Sequence, residues 1–253
     1  GYNQYNQLTS VQYPGGFSLD YLRNTRGYLQ QVSDQTTTFY TAGTANAYLQ
    51  STQHTLGSGF QINKTYHHSI PTSFVAGNNA FVMNYTWEYA SGNLQSRQIH
   101  GVTESFMYDN LNRLTHAINS TQTIHANFAS NGNILGKTDA GPDYTYDSQR
   151  IHAMSGITTP AYPNNINLSA QNISYTSFQQ PAYITEGNYR LDYVYGSDYQ
   201  RIKSVLKQNG NEQESIIYLS NYERKIKGGN TMDIYYIHAA DELIAIAVKT
   251  NGG

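Results

Sequence analysis

The stretch Tyr108-Asp109-Asn110-Leu111-Asn112-Arg113-Leu114, led in by Phe106-Met107, recurs along this 253-residue chain. Tyr144-Thr145-Tyr146-Asp147-Ser148-Gln149-Arg150-Ile151 repeats it one residue shorter, and Tyr193-Val194-Tyr195-Gly196-Ser197-Asp198-Tyr199-Gln200-Arg201-Ile202 one residue longer. Weaker copies run from Tyr2 to Leu8, Trp87 to Leu94, Asn127 to Ile134 and Ser174 to Pro181. The last aromatic before each turn falls at Tyr89, Tyr108, Phe128 and Tyr146, steps of 19, 20 and 18 residues. A period near twenty is the length of one β-hairpin, so the chain reads as a repeat protein with one hairpin per unit. An aromatic-x-aromatic step puts both rings on one face of a strand, because successive side chains point to opposite sides. The polar stretch then turns the chain, and a second strand leaves from the Leu or Ile.

The chemistry of the turn assigns each polar residue a role. Asp109 and Asp147 stand where an Asx-turn begins, their carboxylates placed to accept from a backbone N–H two residues on, and Asp198 belongs to the third copy. Asn112, Gly92 and Gly132 occupy the place where a type I turn plus bulge needs a residue tolerant of positive φ. Arg113, Arg150 and Arg201 recur just before the outgoing apolar residue and can pair with an Asp across the turn. Turn capping is therefore the preferred reading of these residues over catalysis. Tyr108, Tyr146 and Tyr195 should stack in rows, either as an aromatic ladder within the sheet or as an exposed platform suited to sugar rings; the ladder is preferred.

Composition agrees with sheets and turns. Charged residues make up 13% of the chain against about 25% in an ordinary domain, while 24 Tyr and 21 Gly help to fill the gap. Coiled coil and collagen are excluded, and only Thr44 to Gln53 reads as a stretch that could be helical. Fifteen Lys and Arg against 17 Asp and Glu leave a charge of −2, so nucleic acid is a poor partner. The basic residues Arg201, Lys203, Lys207, Arg224, Lys225 and Lys227, interleaved with acids, read as a solvated face. There is no cysteine and no apolar run long enough to span a membrane. The start at Gly1-Tyr2-Asn3 without Met reads as an excised piece, so a missing signal peptide says little.

No metal, cofactor or catalytic residue is assigned. His67-His68 is the only adjacent histidine pair, and neighbouring strand residues face opposite ways, so the pair should not grip one metal. No nucleophile elbow, phosphate loop or dinucleotide fingerprint is present. The Asn-x-Ser/Thr triplets at Asn63, Asn84, Asn119, Asn167 and Asn172 are what an Asn- and Ser-rich chain yields by chance. The whole chain, 1–253, reads as one all-β domain, with divergent repeats over 1–85 and clear repeats over 86–253. Low repeat signal over 40–84 is assigned to divergent repeats in preference to a separate domain, and Thr158 to Asn167, with Pro160 and Pro163, to an ordered loop or long tip.

The tyrosine-aspartate turn followed by Asn or Gln, Arg and an aliphatic residue resembles the YD-repeat, or Rhs, family, which is related to the toxin-complex shell proteins and the teneurins. The segment from Tyr235 to Gly252 resembles the strand pair that precedes the Rhs core signature in such proteins. That signature, His-x-Asp-His-Leu-Gly-Ser, is not in this sequence, so no residue is assigned to self-cleavage. The resemblance implies a β-solenoid of stacked antiparallel hairpins forming an open curved sheet, part of a shell. It further implies a non-enzymatic role, a C-terminal passenger polypeptide as partner, and a secreted or cell-surface bacterial setting. A module binding cell-surface glycans through Tyr108, Tyr146 and Tyr195 is the alternative. Exposed edge strands should invite self-association, and in a hairpin spiral the terminal units should fray first.

Overall fold

The computed structural model describes residues 1–159 and 171–251. The part of the expected loop from Pro160 to Asn167 lies outside the described residues, as does the triplet at Asn167. The chain forms two compact units, one of Gly1–Gln61 with Ala170–Gly253, the other of Ile62–Ser169. Twenty-three strands follow in chain order, and a single 3₁₀ turn at Pro14–Gly16 is the only helical element among the described residues.

The first unit opens with β1 (Ser10–Gln12), β2 (Ser18–Arg23), β3 (Leu29–Ser33), β4 (Thr38–Ala42) and β5 (Gln53–Leu56). The second unit holds β6 (Gln61–His67), β7 (Ile70–Ala76), β8 (Phe81–Glu88), β9 (Asn93–Ile99) and β10 (Val102–Tyr108). It continues through β11 (Leu114–Ile118), β12 (Thr123–Phe128), β13 (Ile134–Lys137), β14 (Tyr144–Tyr146) and β15 (Met154–Ile157). The chain then returns to the first unit with β16 (Gln171–Tyr175), β17 (Pro181–Glu186), β18 (Tyr189–Tyr195) and β19 (Arg201–Gln208). It ends on β20 (Asn211–Leu219), β21 (Tyr222–Lys227), β22 (Asn230–Ala239) and β23 (Glu242–Asn251). Strands β16 to β23 form one sheet in chain order, each antiparallel to the next, and β14 pairs only with β15. The all-β expectation is met.

Thr44–Gln53 is not a helix. Asn46 Oδ1 accepts from the backbone N–H of Tyr48 and Gln50 at 3.0 and 3.1 Å, and this local competition turns the chain instead.

Register carries a recurring irregularity. The bulge in each pair falls just ahead of the turn, between Thr86 and Trp87, Met107 and Tyr108, Asn127 and Phe128, Thr145 and Tyr146, Ser174 and Tyr175, and Val194 and Tyr195. The residue after each bulge is an aromatic of the repeat: Tyr108, Phe128 and Tyr146 are the spacing markers themselves, whereas in the copy before them it is Trp87, two residues ahead of the marker Tyr89. A bulge adds a residue and re-aims the side chain beside it, so the repeat spacing encodes where each ring points.

Burial is concentrated in the first unit. Leu19, Val32 and Tyr40 of β2 to β4 pack with Ile237 and Ala239 of β22, all at most 4% exposed, and Phe17, Ile244 and Ala247 flank them. Fraying of the termini first is therefore not what this packing supports, because the earliest and latest strands share the best-buried core. In the second unit Ile62, 4% exposed, is the only large apolar side chain among the described residues that is fully buried. Its hairpins are held by ladders and half-buried rings more than by a filled interior.

Candidate functional site

One five-residue turn recurs with the same backbone bonds. In the copy at Asp109, the N–H of Asp109 donates to the carbonyl of Arg113, and the N–H of Asn112 donates back to the carbonyl of Asp109, both at 3.0 Å. The same pair closes the turns that begin at Asn3, Asn24, Asn46, Ala129, Thr176 and Gly196. The fourth residue is left-handed each time, with φ 57° at Asn6, 64° at Leu49, 58° at Asn112 and 60° at Tyr199. Gly92 and Gly132, at φ 78° and 91°, also adopt the positive φ read from the sequence.

The head residue caps the turn. Asp109 Oδ1 accepts from Leu111 and Arg113 N–H at 2.9 and 3.0 Å, and Asp147 Oδ1 from Gln149 and Arg150 N–H at 2.8 Å. These donors, the Arg113 and Arg150 amides foremost, hold both carboxyl groups below the ordinary carboxylate range. In the longer third copy Gly196 takes the head position, and Asp198 accepts only from Gln200 N–H, at 3.1 Å. Asn112→Val is expected to lower stability by about 1–2 kcal/mol, since a β-branched residue is a poor occupant of left-handed backbone. Asp109→Ala should lower the urea midpoint by less, and an unchanged midpoint in both variants would contradict this account of the turn.

The arginines divide. Arg113 donates through Nε to Asp109 Oδ2 at 2.6 Å and through Nη1 to the Ala129 carbonyl at 3.0 Å, and its Cζ lies 4.7 Å from the Phe128 ring centroid. Arg150 reaches Asp147 at 3.3 Å. Arg201 does not follow the expected pairing with an Asp; it lies 4.4 Å from the Tyr218 ring centroid, because the extra residue in its copy moves Asp198 off the head position.

Tyr108, Tyr146 and Tyr195 share one contact. Each hydroxyl donates to a carbonyl at the start of the preceding outgoing strand: Tyr108 to Leu94 at 3.0 Å, Tyr146 to Ile134 at 2.9 Å and Tyr195 to Pro181 at 2.8 Å. All three are half-buried. The hydroxyls that a sugar platform would offer are thus engaged inside the sheet. Changing each to Phe should cost about 1 kcal/mol, and the three losses should add, because the three hydroxyls share no hydrogen-bond partner. Urea denaturation of the single and triple variants checks this.

A buried ionic cluster escaped the sequence reading. Asp233 of β22 is fully buried and receives Arg224 Nε and Nη2 at 2.7 and 2.9 Å, with the Tyr222 hydroxyl at 2.7 Å. Arg224 stands directly opposite Asp233, and Tyr222 opposite Tyr235. The Tyr235 hydroxyl donates to the Pro14 carbonyl at 3.1 Å, and Lys249 Nζ to the Gly15 carbonyl at 3.0 Å. Gly15 has φ 82°, and a Cβ there would lie 2.8 Å from both Asp233 Oδ2 and the Tyr235 hydroxyl. The cluster thus anchors the loop before β2 onto β22 and β23. Arg224 holds Asp233 below the ordinary carboxylate range, and burial with the adjacent carboxylate pushes Tyr222 up to about 12. The signal was the alternation Tyr222-x-Arg224 and Asp233-x-Tyr235, which places like-spaced partners on one face. Reading Arg224 as part of a solvated face is corrected accordingly, whereas Lys225 does pair at the surface with Glu214 at 2.9 Å.

None of this converges as catalytic machinery. A cavity of about 450 Å³ beside Tyr40 is lined by Asn24, Tyr28, Thr44, Asn46 and Ser51 among others, without a carboxylate. His67 and His68 do not both lie in a strand as expected. His68 is left-handed at the turn, and the two rings meet edge to face at 4.5 Å. Among the described residues no helix is long and apolar enough to cross a membrane.

The bulged, capped hairpin, with Tyr108, Tyr146 and Tyr195 each bonded to the hairpin before it, defines the chain as an all-β repeat of stacked antiparallel hairpins. No family model and no curated protein matches it. Among solved structures it is similar to the Photorhabdus luminescens Tc holotoxin pore carrying the TccC3 D651A mutation, with 13% identity and a TM-score of 0.75 over 94% of this chain. It is likewise similar to TcdB2-TccC3 without its hypervariable C-terminal region, with 14% identity and a TM-score of 0.72 over 93% of this chain. The chain spans about 15% of the length of each. At this identity the likeness establishes a shared fold.

Proposed function

We propose that this chain is a non-enzymatic wall segment of a larger YD-repeat shell, one that surrounds or presents a passenger polypeptide of the parent protein in a secreted or cell-surface setting. The observation that carries the reading is the direction of the recurring side chains. The repeated Tyr and Arg contacts of Tyr108, Tyr146, Tyr195 and Arg113 join one hairpin to another instead of lining a pocket. Thin burial in the second unit supports it too, since a sheet with so little filled interior suits a wall better than a globular core. In the parent polypeptide, a passenger behind such a wall should resist protease under native conditions and become sensitive once the three tyrosines are changed to Phe and the wall is weakened. Cleavage of the passenger at the rate of the free polypeptide would overturn the reading. A glycan-binding role has no comparable support, given that the three tyrosine hydroxyls are already bonded.

A further inference from the structure

On the second unit three potential metal ligands stand in one row. Met107 of β10 is directly opposite His116 of β11, and His116 is directly opposite His125 of β12. Directly opposite residues of antiparallel strands share a face and lie about 4.5–5.5 Å apart, so the thioether and both imidazoles project from the same side. Met107 is 53% exposed on that side, and the two imidazole centroids are 4.4 Å apart with an interplanar angle of 30°.

The hydrogen bonds around His116 select its tautomer. Thr115 has one hydroxyl proton and gives it to the Met107 carbonyl at 3.0 Å. Its oxygen is therefore an acceptor toward His116 Nδ1, 3.1 Å away, and Nδ1 carries the proton. That leaves the Nε2 lone pair free, and a hydrogen bond on the other ring nitrogen is how a ligating histidine is ordinarily oriented. A cavity of about 260 Å³ lined by His125, Asn127, Lys137 and Thr138 opens beside the row. Lys137, which also lines it, is directly opposite Ala126, so its ammonium projects from the other face of the sheet, where it pairs with Asp139 at 2.8 Å.

We infer that Met107, His116 and His125 form a binding site for a soft monovalent metal ion, Cu(I), through one thioether sulfur and two imidazole nitrogens. Thioether ligands favour Cu(I), and imidazole suits copper in either state. Binding replaces no covalent bond and changes no oxidation state.

Competition against a colorimetric Cu(I) chelator, under anaerobic reducing conditions, tests the site on the intact chain. One equivalent should be withdrawn. His116→Ala and His125→Ala should each weaken uptake about tenfold or more. Met107→Leu should weaken Cu(I) uptake while leaving Zn(II) uptake, which rests on the imidazoles, unchanged. Because the histidine variants could disturb the sheet, imidazole nitrogen shifts of the unaltered protein on adding Cu(I) provide a second readout. Failure to withdraw copper, retention of copper by the double histidine variant, or no shift at His116 and His125 would each overturn the assignment, leaving a simple stack of rings.

Discussion

Deleting residues 234–253 is expected to strip hydrogen-exchange protection from β2, β3 and β4, some two hundred residues away in sequence. The deletion removes Ile237 and Ala239, which cover Leu19, Val32 and Tyr40, together with the flanking Ile244 and Ala247. It also removes Tyr235 and Lys249, which hold the loop at Pro14 and Gly15. A single-site form of the experiment, Ile237→Ala, should cost about 2–5 kcal/mol, as for other fully buried aliphatic truncations. The hairpins around Tyr108 and Tyr146 have their own ladders in the second unit and should keep their protection. Loss that instead spreads gradually back toward residue 233, with β2 to β4 untouched, would show that the first hairpins need no partner.

Asp233→Ala should be comparably severe. Removing the carboxylate leaves the Arg224 guanidinium without its two bonds and the Tyr222 hydroxyl without its acceptor. Breaking a buried pair from one side costs about 3–5 kcal/mol, and the partial exposure of Arg224, 31%, puts the expectation near the lower figure. The pH dependence has a definite sign. Asp233 has a folded pKa below its ordinary value, and the unfolded carboxyl titrates near pH 3.9. Its contribution is therefore present above about pH 4 and disappears as pH falls through the folded pKa. Urea midpoints followed from pH 6 downward should show a steeper acid loss in the unaltered chain than in Asp233→Ala. Parallel curves would mean that this carboxylate is not the group being titrated. Asp233→Asn should be milder in its loss at neutral pH, since the amide oxygen can still accept from Arg224.

Recognition of the hairpin rested on residues within about ten positions of one another. Asp109, Asn112 and Arg113 could be assigned from order alone, because an Asx cap, a left-handed fourth residue and a returning strand are satisfied inside one short segment. Asn46 and Leu49 repeat this geometry without the Tyr-Asp spelling, so in sequence Thr44–Gln53 reads as a stretch that could be helical and not as this turn. A backbone turn accepts several side chains at its head, Asn, Asp and Thr among them, and composition alone does not separate them. Arg201 illustrates the limit from the other side. One inserted residue moved its Asp out of reach and left a ring as the nearer partner.

By itself the sequence determined the all-β class, the hairpin period and the capped turns at Asp109 and Asp147, since each depends on hydrogen bonds closed locally and on alternation along one strand. Tertiary structure alone decided that Tyr108, Tyr146 and Tyr195 donate to a neighbouring hairpin, that Asp233 is buried against Arg224, and that the first strands share a core with the last. Those outcomes depend on which strands become neighbours, and a bulge of one residue or a partner more than two hundred positions away changes the answer without altering any local pattern.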